Sequence, residues 1–175
     1  VTLLGQPDYF DRDDLYNAPT GEYSDNAERF AFFCRAVIET AKALDFKPDI
    51  VHLNDWQSAL VAVYLRSTMR DDPFFADSRI VITIHNLGYQ GLFGMDALKV
   101  AALPEWLWTP QYLEFYGRVN YLKRAIVFAD AINTVSEGYA REILTPQQGM
   151  GLEGVLQERS DRVFGILNGV DYSEW

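Results

Sequence analysis

The stretch Ile80-Val81-Ile82-Thr83-Ile84, followed at once by His85, decides the fold. A run dominated by β-branched residues is typical of a strand buried on both faces, and such strands occur mainly in parallel sheets covered by helices. Residues 49–53, 131–135 and 163–167 contain further short, mostly apolar runs of strand length. The sequence therefore predicts several strands of one parallel sheet.

Helical patterns separate these predicted strands. Apolar residues recur every three or four positions over residues 25–46, and Asp25 and Glu28 have the spacing of a helix-opening capping pair. The further predicted helices cover residues 56–65, directly after Asn54 and Asp55, and residues 117–128, 137–143 and 155–159. Strands that alternate with helices predict an α/β fold, a Rossmann-like parallel sheet with flanking helices, in one domain.

Two segments fall outside this alternation. Residues 87–116 lose periodicity and are dense in glycine, proline and aromatic residues, so we predict a long irregular insertion. Long insertions of this kind in compact domains usually have a function. Residues 1–4 resemble the end of a strand, which suggests a chain cut within a fold.

The composition excludes several classes of protein. A net charge of −10 argues against nucleic-acid binding, which needs a basic surface. No apolar run approaches the roughly 20 residues of a membrane helix. The single cysteine, Cys34, excludes an internal disulfide, and with only two histidines the chain cannot build a Cys/His zinc site. Cys34 lies on the apolar helical stripe and is predicted as a core thiol. A reducing cytoplasm or plastid stroma is expected.

Polar residues stand where the predicted strands end. The carboxyl ends of parallel strands share one edge of a sheet, where ligands bind in α/β proteins. These positions are Asn54-Asp55, His85-Asn86, Ser136 and Asn168-Gly169. Each has an ordinary alternative, since Asp55 and Ser136 are good helix caps and Asn-Gly is a hairpin signal.

The two histidines have different predicted roles. His85 directly follows the β-branched run 80–84, and its ring is either a ligand contact or a satisfied structural group. His52 lies inside its predicted strand, which favours a hydrogen-bonded core residue.

Two further patterns mimic known sites. Residues 149–154 fit the dinucleotide fingerprint G-x-G-x-x-G, with Asp171 about 20 residues on, but they follow a predicted helix instead of a strand. The doublets 13–14 and 71–72 suggest paired catalytic carboxylates, although neighbouring loop acids are usually solvated. Neither pattern is taken as a site.

Several motifs in this sequence together resemble the bacterial glycogen synthase and plant starch synthase family. The three longest are His52-Leu53-Asn54-Asp55-Trp56-Gln57, Thr83-Ile84-His85-Asn86-Leu87-Gly88-Tyr89-Gln90-Gly91 and Ile166-Leu167-Asn168-Gly169-Val170-Asp171. Shorter matches keep the family's order along nearly the whole chain. They include residues 9–12 with Tyr16, residues 120–123, 133–136, and 145–146 with 149–154.

The resemblance implies a retaining α-1,4-glucosyltransferase of the two-domain GT-B architecture. Such enzymes move glucose from ADP-glucose to the non-reducing end of an α-1,4-glucan, with no metal or other cofactor. By position, His85 matches a histidine that contacts the transferred glucose, and Asp55 matches an active-site aspartate. Asn168 and Tyr16 match substrate-side residues, and adjacency adds Asn86 and Tyr89 as substrate-binding candidates.

The same resemblance indicates what to expect of the chain as a whole. Asn54 stands where many bacterial members have a second histidine, and Arg124 where a glycine is common. Residues 1–175 are expected to be a partial, truncated N-terminal catalytic domain, without the family's donor loop and C-terminal nucleotide-binding domain, and inactive alone. A non-catalytic glucan-binding module and another GT-B glycosyltransferase are the alternatives.

Overall fold

The computed structural model describes residues 2–18 and 21–169, with only the backbone of Ala18. Val1, Val170 and Asp171 lie outside the described residues.

Nine strands and eight α-helices make up the described chain. The strands are β1 (Asn17–Ala18), β2 (Gly21–Glu22), β3 (Ile50–Asn54), β4 (Arg79–Ile84), β5 (Leu92–Phe93), β6 (Glu114–Phe115), β7 (Arg118–Asn120), β8 (Ala131–Thr134) and β9 (Val163–Gly165). The helices are α1 (Pro7–Phe10), α2 (Asn26–Ala43), α3 (Asp55–Ser58), α4 (Leu60–Arg66), α5 (Asp96–Val100), α6 (Tyr121–Phe128), α7 (Glu137–Glu142) and α8 (Glu153–Gln157). Two 3₁₀ turns lie at Glu105–Leu107 and Ser160–Arg162.

The centre of the fold is a four-stranded parallel sheet in the order β3-β4-β8-β9. In its register Ile82 pairs with Leu53 on one side and with Ile132 on the other, and all three side chains are buried. The predicted α/β fold, a parallel sheet with flanking helices, is thus confirmed.

The order of the strands determines which face of the sheet the helices cover. Each connection runs in the same direction across the sheet, and parallel crossovers are right-handed, so the connecting helices lie on one face. Helices α2, α4 and α6 pack together there. On the opposite face Ile50 is 60% exposed and Phe164 is 54% exposed.

His52 lies on this open face, which corrects the prediction of a core histidine. Its Nε2 is 2.7 Å from Thr83 Oγ1, so the predicted hydrogen bond is present. The ring is nevertheless exposed, because β3 is at the edge of the sheet and no described helix covers this face.

Cys34 lies in the core, as predicted. It is fully buried on α2, and its thiol donates to the carbonyl of Gln57 at 3.2 Å. Burial raises the pKa of the Cys34 thiol to about 12, so the group stays protonated and unreactive at neutral pH.

The first long helix is shorter than the predicted 25–46. It ends at Ala43, and Asp45 has a positive φ of 48° that stops it. The predicted capping pair is wrong, because tertiary partners take both carboxylates: Asp25 binds Arg12 at 2.6 Å, and Glu28 accepts the phenol of Tyr9 at 2.5 Å.

The predicted helix 117–128 begins with a strand. Residues 118–120 form β7, the middle strand of a three-stranded antiparallel sheet with β5 and β6, and α6 starts only at Tyr121. Asn120 caps α6 by accepting from the backbone N–H of Lys123 at 2.9 Å. The insertion 87–116 therefore contains short regular elements. The strand β7 was missed because it has only three residues; it forms a tight hairpin with β6 through Tyr116 and Gly117, both at positive φ, and pairs with the more distant β5.

The remaining predicted element boundaries differ from the observed ones by a few residues. The predicted helix 56–65 begins one residue earlier, at Asp55, and is interrupted at Ala59 into α3 and α4. The last predicted strand ends at Gly165. Residues 2–4 belong to no strand. Among the helices described, none has the length and apolar character needed to cross a bilayer.

Candidate active site

The strand ends that carry polar residues lie along one edge of the sheet, because β3, β4, β8 and β9 are all parallel. Asp55 directly follows β3, and His85 directly follows β4. Ser136 follows β8 and has the ordinary role, since its Oγ caps α7 by accepting from the backbone N–H of Tyr139 at 3.0 Å. Asn168 stands three residues beyond β9.

Asp55 joins the ends of two neighbouring strands. Its Oδ1 accepts a hydrogen bond from the backbone N–H of His85 at 2.8 Å. The residue has a φ of +53°, a left-handed conformation that Asp and Asn adopt more readily than other side chains with a Cβ. The sequence places a tolerant residue where the chain must turn sharply from β3 into α3.

The ring of His85 contacts the residue before Asp55. Its Nε2 lies 3.0 Å from the side-chain Oδ1 of Asn54, and the ring is exposed at the edge of the sheet. Ser58 holds the backbone of Asn54 from both sides: its Oγ accepts from the N–H at 2.7 Å and donates to the carbonyl at 2.8 Å. His85 is therefore held through its backbone and through its ring.

An open cleft of about 590 Å³ lies beside this pair. Tyr16, Asn54, Asp55 and His85 all line it. The Tyr16 ring packs on Trp56 with the ring centroids 6.3 Å apart. Burial, with a smaller contribution from the Asp55 charge, raises the pKa of Tyr16, so its phenol remains a neutral donor. The cleft thus combines a carboxylate, an imidazole, an amide and a phenol.

The other predicted site residues lie elsewhere. Asn86 forms a local turn, its Oδ1 accepting from the backbone N–H of Gly88 at 2.9 Å, and Tyr89 is 63% exposed at the end of that turn. Asn168 is exposed, and β9 is separated from β4 by β8, a distance of about 10 Å across two strand spacings. Among the described residues, no hydrogen bond joins Asn86, Tyr89 or Asn168 to the side chains of Asp55 or His85.

Tyr139 supports the site and was missed from the sequence. Its hydroxyl accepts from the backbone N–H of Leu87 at 2.8 Å and so fixes the turn that follows His85. Tyr139 lies on α7, 52 residues further along the chain. No local signal marks such a contact.

Residues 149–154 have a packing role in this structure. They follow α7 and run into the first two residues of α8, Glu153 and Gly154, so no strand leads into them. A Cβ on Gly151, whose φ is +82°, would lie 2.8 Å from the ring of Phe115. A Cβ on Gly149 would lie 2.4 Å from the Cβ of Glu153. These glycines allow close approach of the chain, which accounts for the pattern without a dinucleotide.

The acidic doublets form no paired-carboxylate site. Asp13 and Asp14 are exposed. The Asp71 side chain is 97% exposed, whereas Asp72 pairs with Lys42 and accepts from the backbone N–H of Phe74 at 2.9 Å. Within residues 2–18 and 21–169 no group of three or more His, Cys, Asp or Glu side chains is arranged to hold a metal ion.

Two buried cations organise the aromatic insertion. Lys123 donates to the carbonyls of Pro110 and Glu114 at 2.5 and 2.6 Å, and burial lowers the pKa of its ammonium. The Arg124 guanidinium stacks on Tyr112 and Phe128 at 3.7 and 3.5 Å from the ring centroids. Burial lowers the pKa of Arg124 to about 10. Both side chains pin an otherwise irregular segment to α6.

Comparison with known proteins identifies close relatives of this chain. The family model described as "Starch synthase catalytic domain" matches residues 1–158. Glycogen synthase 2 of Geobacter sulfurreducens is 54% identical over 175 residues, which is 100% of this chain and 36% of that protein. Glycogen synthase of Koribacter versatilis is 59% identical over 173 residues, 99% of this chain and 36% of that protein.

A solved structure also matches the fold. The catalytic domain of starch synthase IV from Arabidopsis thaliana, bound to ADP and acarbose, superposes with a TM-score of 0.81 and 36% sequence identity. The match covers 87% of this chain and 32% of that one. The chain spans about a third of the length of the relatives that it matches.

Proposed function

The chain belongs to the starch synthase catalytic domain family, and from this we propose that it is part of a retaining α-1,4-glucosyltransferase. Its substrates are ADP-glucose, as donor, and the non-reducing end of a glycogen or starch glucan, as acceptor. The Arabidopsis neighbour was solved with ADP and acarbose, which supports a nucleoside diphosphate and an α-glucan as ligands of this family. The proposed location is the bacterial cytoplasm or a plastid stroma.

The observation that carries this proposal is the meeting of Asp55 and His85 at the carboxyl edge of the parallel sheet. Their side chains line the same cleft as Tyr16. Ligands of open α/β sheets bind at this edge, where strand ends and helix starts expose polar groups.

The residues of the cleft suit the chemistry of glucosyl transfer. The transition state resembles an oxocarbenium ion with a departing diphosphate, so the enzyme must orient sugar hydroxyls and exclude water. A neutral His85 ring contacts the transferred glucose, and Asp55 accepts a hydrogen bond or a proton. Tyr16, which lines the same cleft, binds the substrate.

Three further residues have proposed roles that require substrate to reach beyond this cleft. Asn168 faces the donor sugar and its phosphates, and Asn86 and Tyr89 bind substrate from the turn after β4. All three are exposed and available for contact.

The chain is proposed to supply one wall of the active site. Residues 1–175 form part of the amino-terminal catalytic domain, and a carboxyl-terminal nucleotide-binding domain supplies the contacts to the diphosphate. The net charge of −10 supports this division, because the described cleft alone offers little positive charge to a diphosphate. The chain alone is expected to transfer no glucose.

A chimera tests the proposal. The chain replaces the matching 175 residues of the Geobacter sulfurreducens relative, and ADP release is measured with ADP-glucose and glycogen. We expect an active chimera that loses at least about 100-fold in kcat when His85 is changed to alanine. Asp71→Asn, which removes the charge of an exposed carboxylate outside the cleft, should leave the rate unchanged. A His85→Ala chimera at full rate, or glucose transfer by the chain alone, would contradict it.

A second candidate function is glucan binding by the aromatic insertion. Trp106 is 54% exposed and Tyr116 is 82% exposed, and both belong to the segment that Lys123 and Arg124 fix in place. Exposed rings on a rigid support can stack on sugar faces. This function is compatible with the first, and it predicts a different set of sensitive residues.

A further inference from the structure

The hydrogen bond between Asn54 and His85 determines which nitrogen of the imidazole carries the proton. The partner of His85 Nε2 is the amide oxygen of Asn54, at 3.0 Å. An amide oxygen only accepts, so Nε2 must be the donor. We infer that Asn54 is a positioning residue that holds neutral His85 with its proton on Nε2 and leaves the Nδ1 lone pair to accept from a sugar hydroxyl.

The surrounding contacts leave the ring little other freedom. Asp55 Oδ1 binds the backbone N–H of His85, and Ser58 Oγ binds both backbone groups of Asn54. The backbones on both sides of the Asn54–His85 contact are therefore fixed by groups other than the Asn54 amide. The function that remains for the side chain of Asn54 is to orient the His85 ring.

A neutral acceptor at position 54 has a chemical consequence. A carboxylate there would favour the imidazolium, which has two donors and no acceptor. The titratable groups around the cleft are Asp55, Tyr16 and His52. Asp55 directs its Oδ1 to a backbone N–H, and burial keeps the Tyr16 phenol protonated. Asparagine thus supplies an acceptor for Nε2 without adding charge.

The role of Nδ1 towards a sugar hydroxyl rests on the function proposed above, whereas the position of the proton does not. The chain alone therefore suffices for the test. It has only two histidines and a mass of 20.0 kDa, so its ring nitrogens can be assigned by NMR with ¹⁵N-labelled histidine. His52, whose Nε2 faces Thr83, is the internal control.

The experiment compares the wild-type chain with Asn54→Asp and Asn54→Leu. In the wild type we expect a protonated Nε2, an unprotonated Nδ1 and an Nε2 proton slow enough in exchange with water to be observed. Asn54→Leu should lose that proton signal by exchange, because the ring is exposed and its acceptor is gone. Asn54→Asp keeps an acceptor of the same shape and should retain the signal. The His52 signals should be unchanged in both variants, which also reports a preserved fold.

Two results would overturn the inference. One is a wild-type spectrum with the proton on Nδ1 of His85. The other is an Asn54→Leu variant whose His85 Nε2 proton signal matches that of the wild type. Either result leaves the chimera assay untouched, so the proposed function and this inference fail separately.

Discussion

The carboxylate of Asp55 and the backbone N–H of His85 are joined by a 2.8 Å hydrogen bond between residues 30 positions apart. The bond ties the turn after β3 to the turn after β4, so the two strand ends cannot move independently. Its acceptor also has a left-handed backbone. One aspartate thus combines a turn, a cross-strand link and a charge facing the cleft.

Replacement of Asp55 should separate these contributions. Asp55→Ala loses the acceptor and puts a less tolerant residue at φ +53°, and we expect a loss of about 2 kcal/mol in the free energy of unfolding. Asp55→Asn keeps an oxygen acceptor and a side chain suited to this backbone, and should lose less than about 1 kcal/mol. Urea unfolding measures both. Equal losses would mean that the oxygen acceptor and the backbone preference, which asparagine retains, do not contribute to stability.

Replacement by alanine should have opposite effects on stability at Gly151, which lies just before α8, and at Gly154, which lies in its first turn. Gly151→Ala forces a Cβ to within 2.8 Å of Phe115 at φ +82°, and should cost about 2 kcal/mol or more. Gly154→Ala meets no atom within 4 Å inside a helix, and should stabilise the chain by about 0.5 kcal/mol. Thermal unfolding of both variants is the measurement. A nucleotide-binding role for this glycine pattern would instead show as nucleotide-dependent protection.

The stability of the chain should fall at alkaline pH. Burial raises the pKa of Cys34 to about 12, and it raises the pKa of the Tyr64 and Tyr121 phenols as well. An acid whose pKa is higher in the folded state keeps its proton there while the unfolded chain releases it. The contribution of each group is full below its ordinary pKa, 9.0 for the cysteine and 10.0 for the tyrosines, and above that pH it declines by about 1.4 kcal/mol per pH unit.

Cys34→Ala isolates the thiol's share of this decline. Urea unfolding between pH 7 and pH 10.5 should show a shallower fall above pH 9 for the variant. A cavity left by the smaller side chain lowers stability at every pH and does not alter the slope. Identical slopes in the two proteins would show that the thiol does not contribute.

Removal of the Lys123 ammonium should loosen the aromatic insertion. Lys123→Met keeps the apolar length of the side chain but loses the donors to Pro110 and Glu114, and should cost about 2 to 3 kcal/mol. Amide hydrogen exchange should accelerate at least about tenfold over residues 110–116, with little change in β4. Lys99→Met, at an exposed position, is the matched control. Uniform acceleration across the chain would mean that Lys123 acts on global stability alone.

Glycogen in a native gel should retard the chain through its insertion. We expect Trp106→Ala and Tyr116→Ala each to reduce the retardation severalfold, because each removes an exposed ring. Phe164→Ala removes a ring of the same 54% exposure from the open face of the sheet, and should have no effect. His85→Ala should also leave the retardation unchanged. Retardation that depends on His85 but not on the two rings would favour the cleft as the glucan site.

The parallel sheet and the long helix α2 were predictable because their signals are local. The run 80–84 and the three- and four-residue spacing over 26–43 are complete within one element. The strand β7 was not, because Arg118-Val119-Asn120 is only three residues long and lies between the adjacent β6, with which it forms a hairpin, and the distant β5. The prediction that Asp25 caps α2 was wrong because its carboxylate binds Arg12, which is 13 residues away in sequence.

The candidate site likewise has features that could be predicted from the sequence and features that could not. The order of motifs along the chain and the rule for strand ends were enough to select Asp55 and His85 from the sequence. Side-chain direction was not accessible, so the contact from Asn54 to the His85 ring and the support from Tyr139 appear only in three dimensions. The exposure of His52 follows from the strand order, which no local pattern contains.

The open face of the sheet has a consequence for the behaviour of the chain in solution. Ile50 and Phe164 are exposed there, and among the described residues β3 has no partner along its outer edge. A free strand edge beside an apolar surface is a template for pairing with other chains. Purified at high concentration, the chain would be prone to edge-to-edge aggregation, and its colloidal solubility would depend on the repulsion that a net charge of −10 provides.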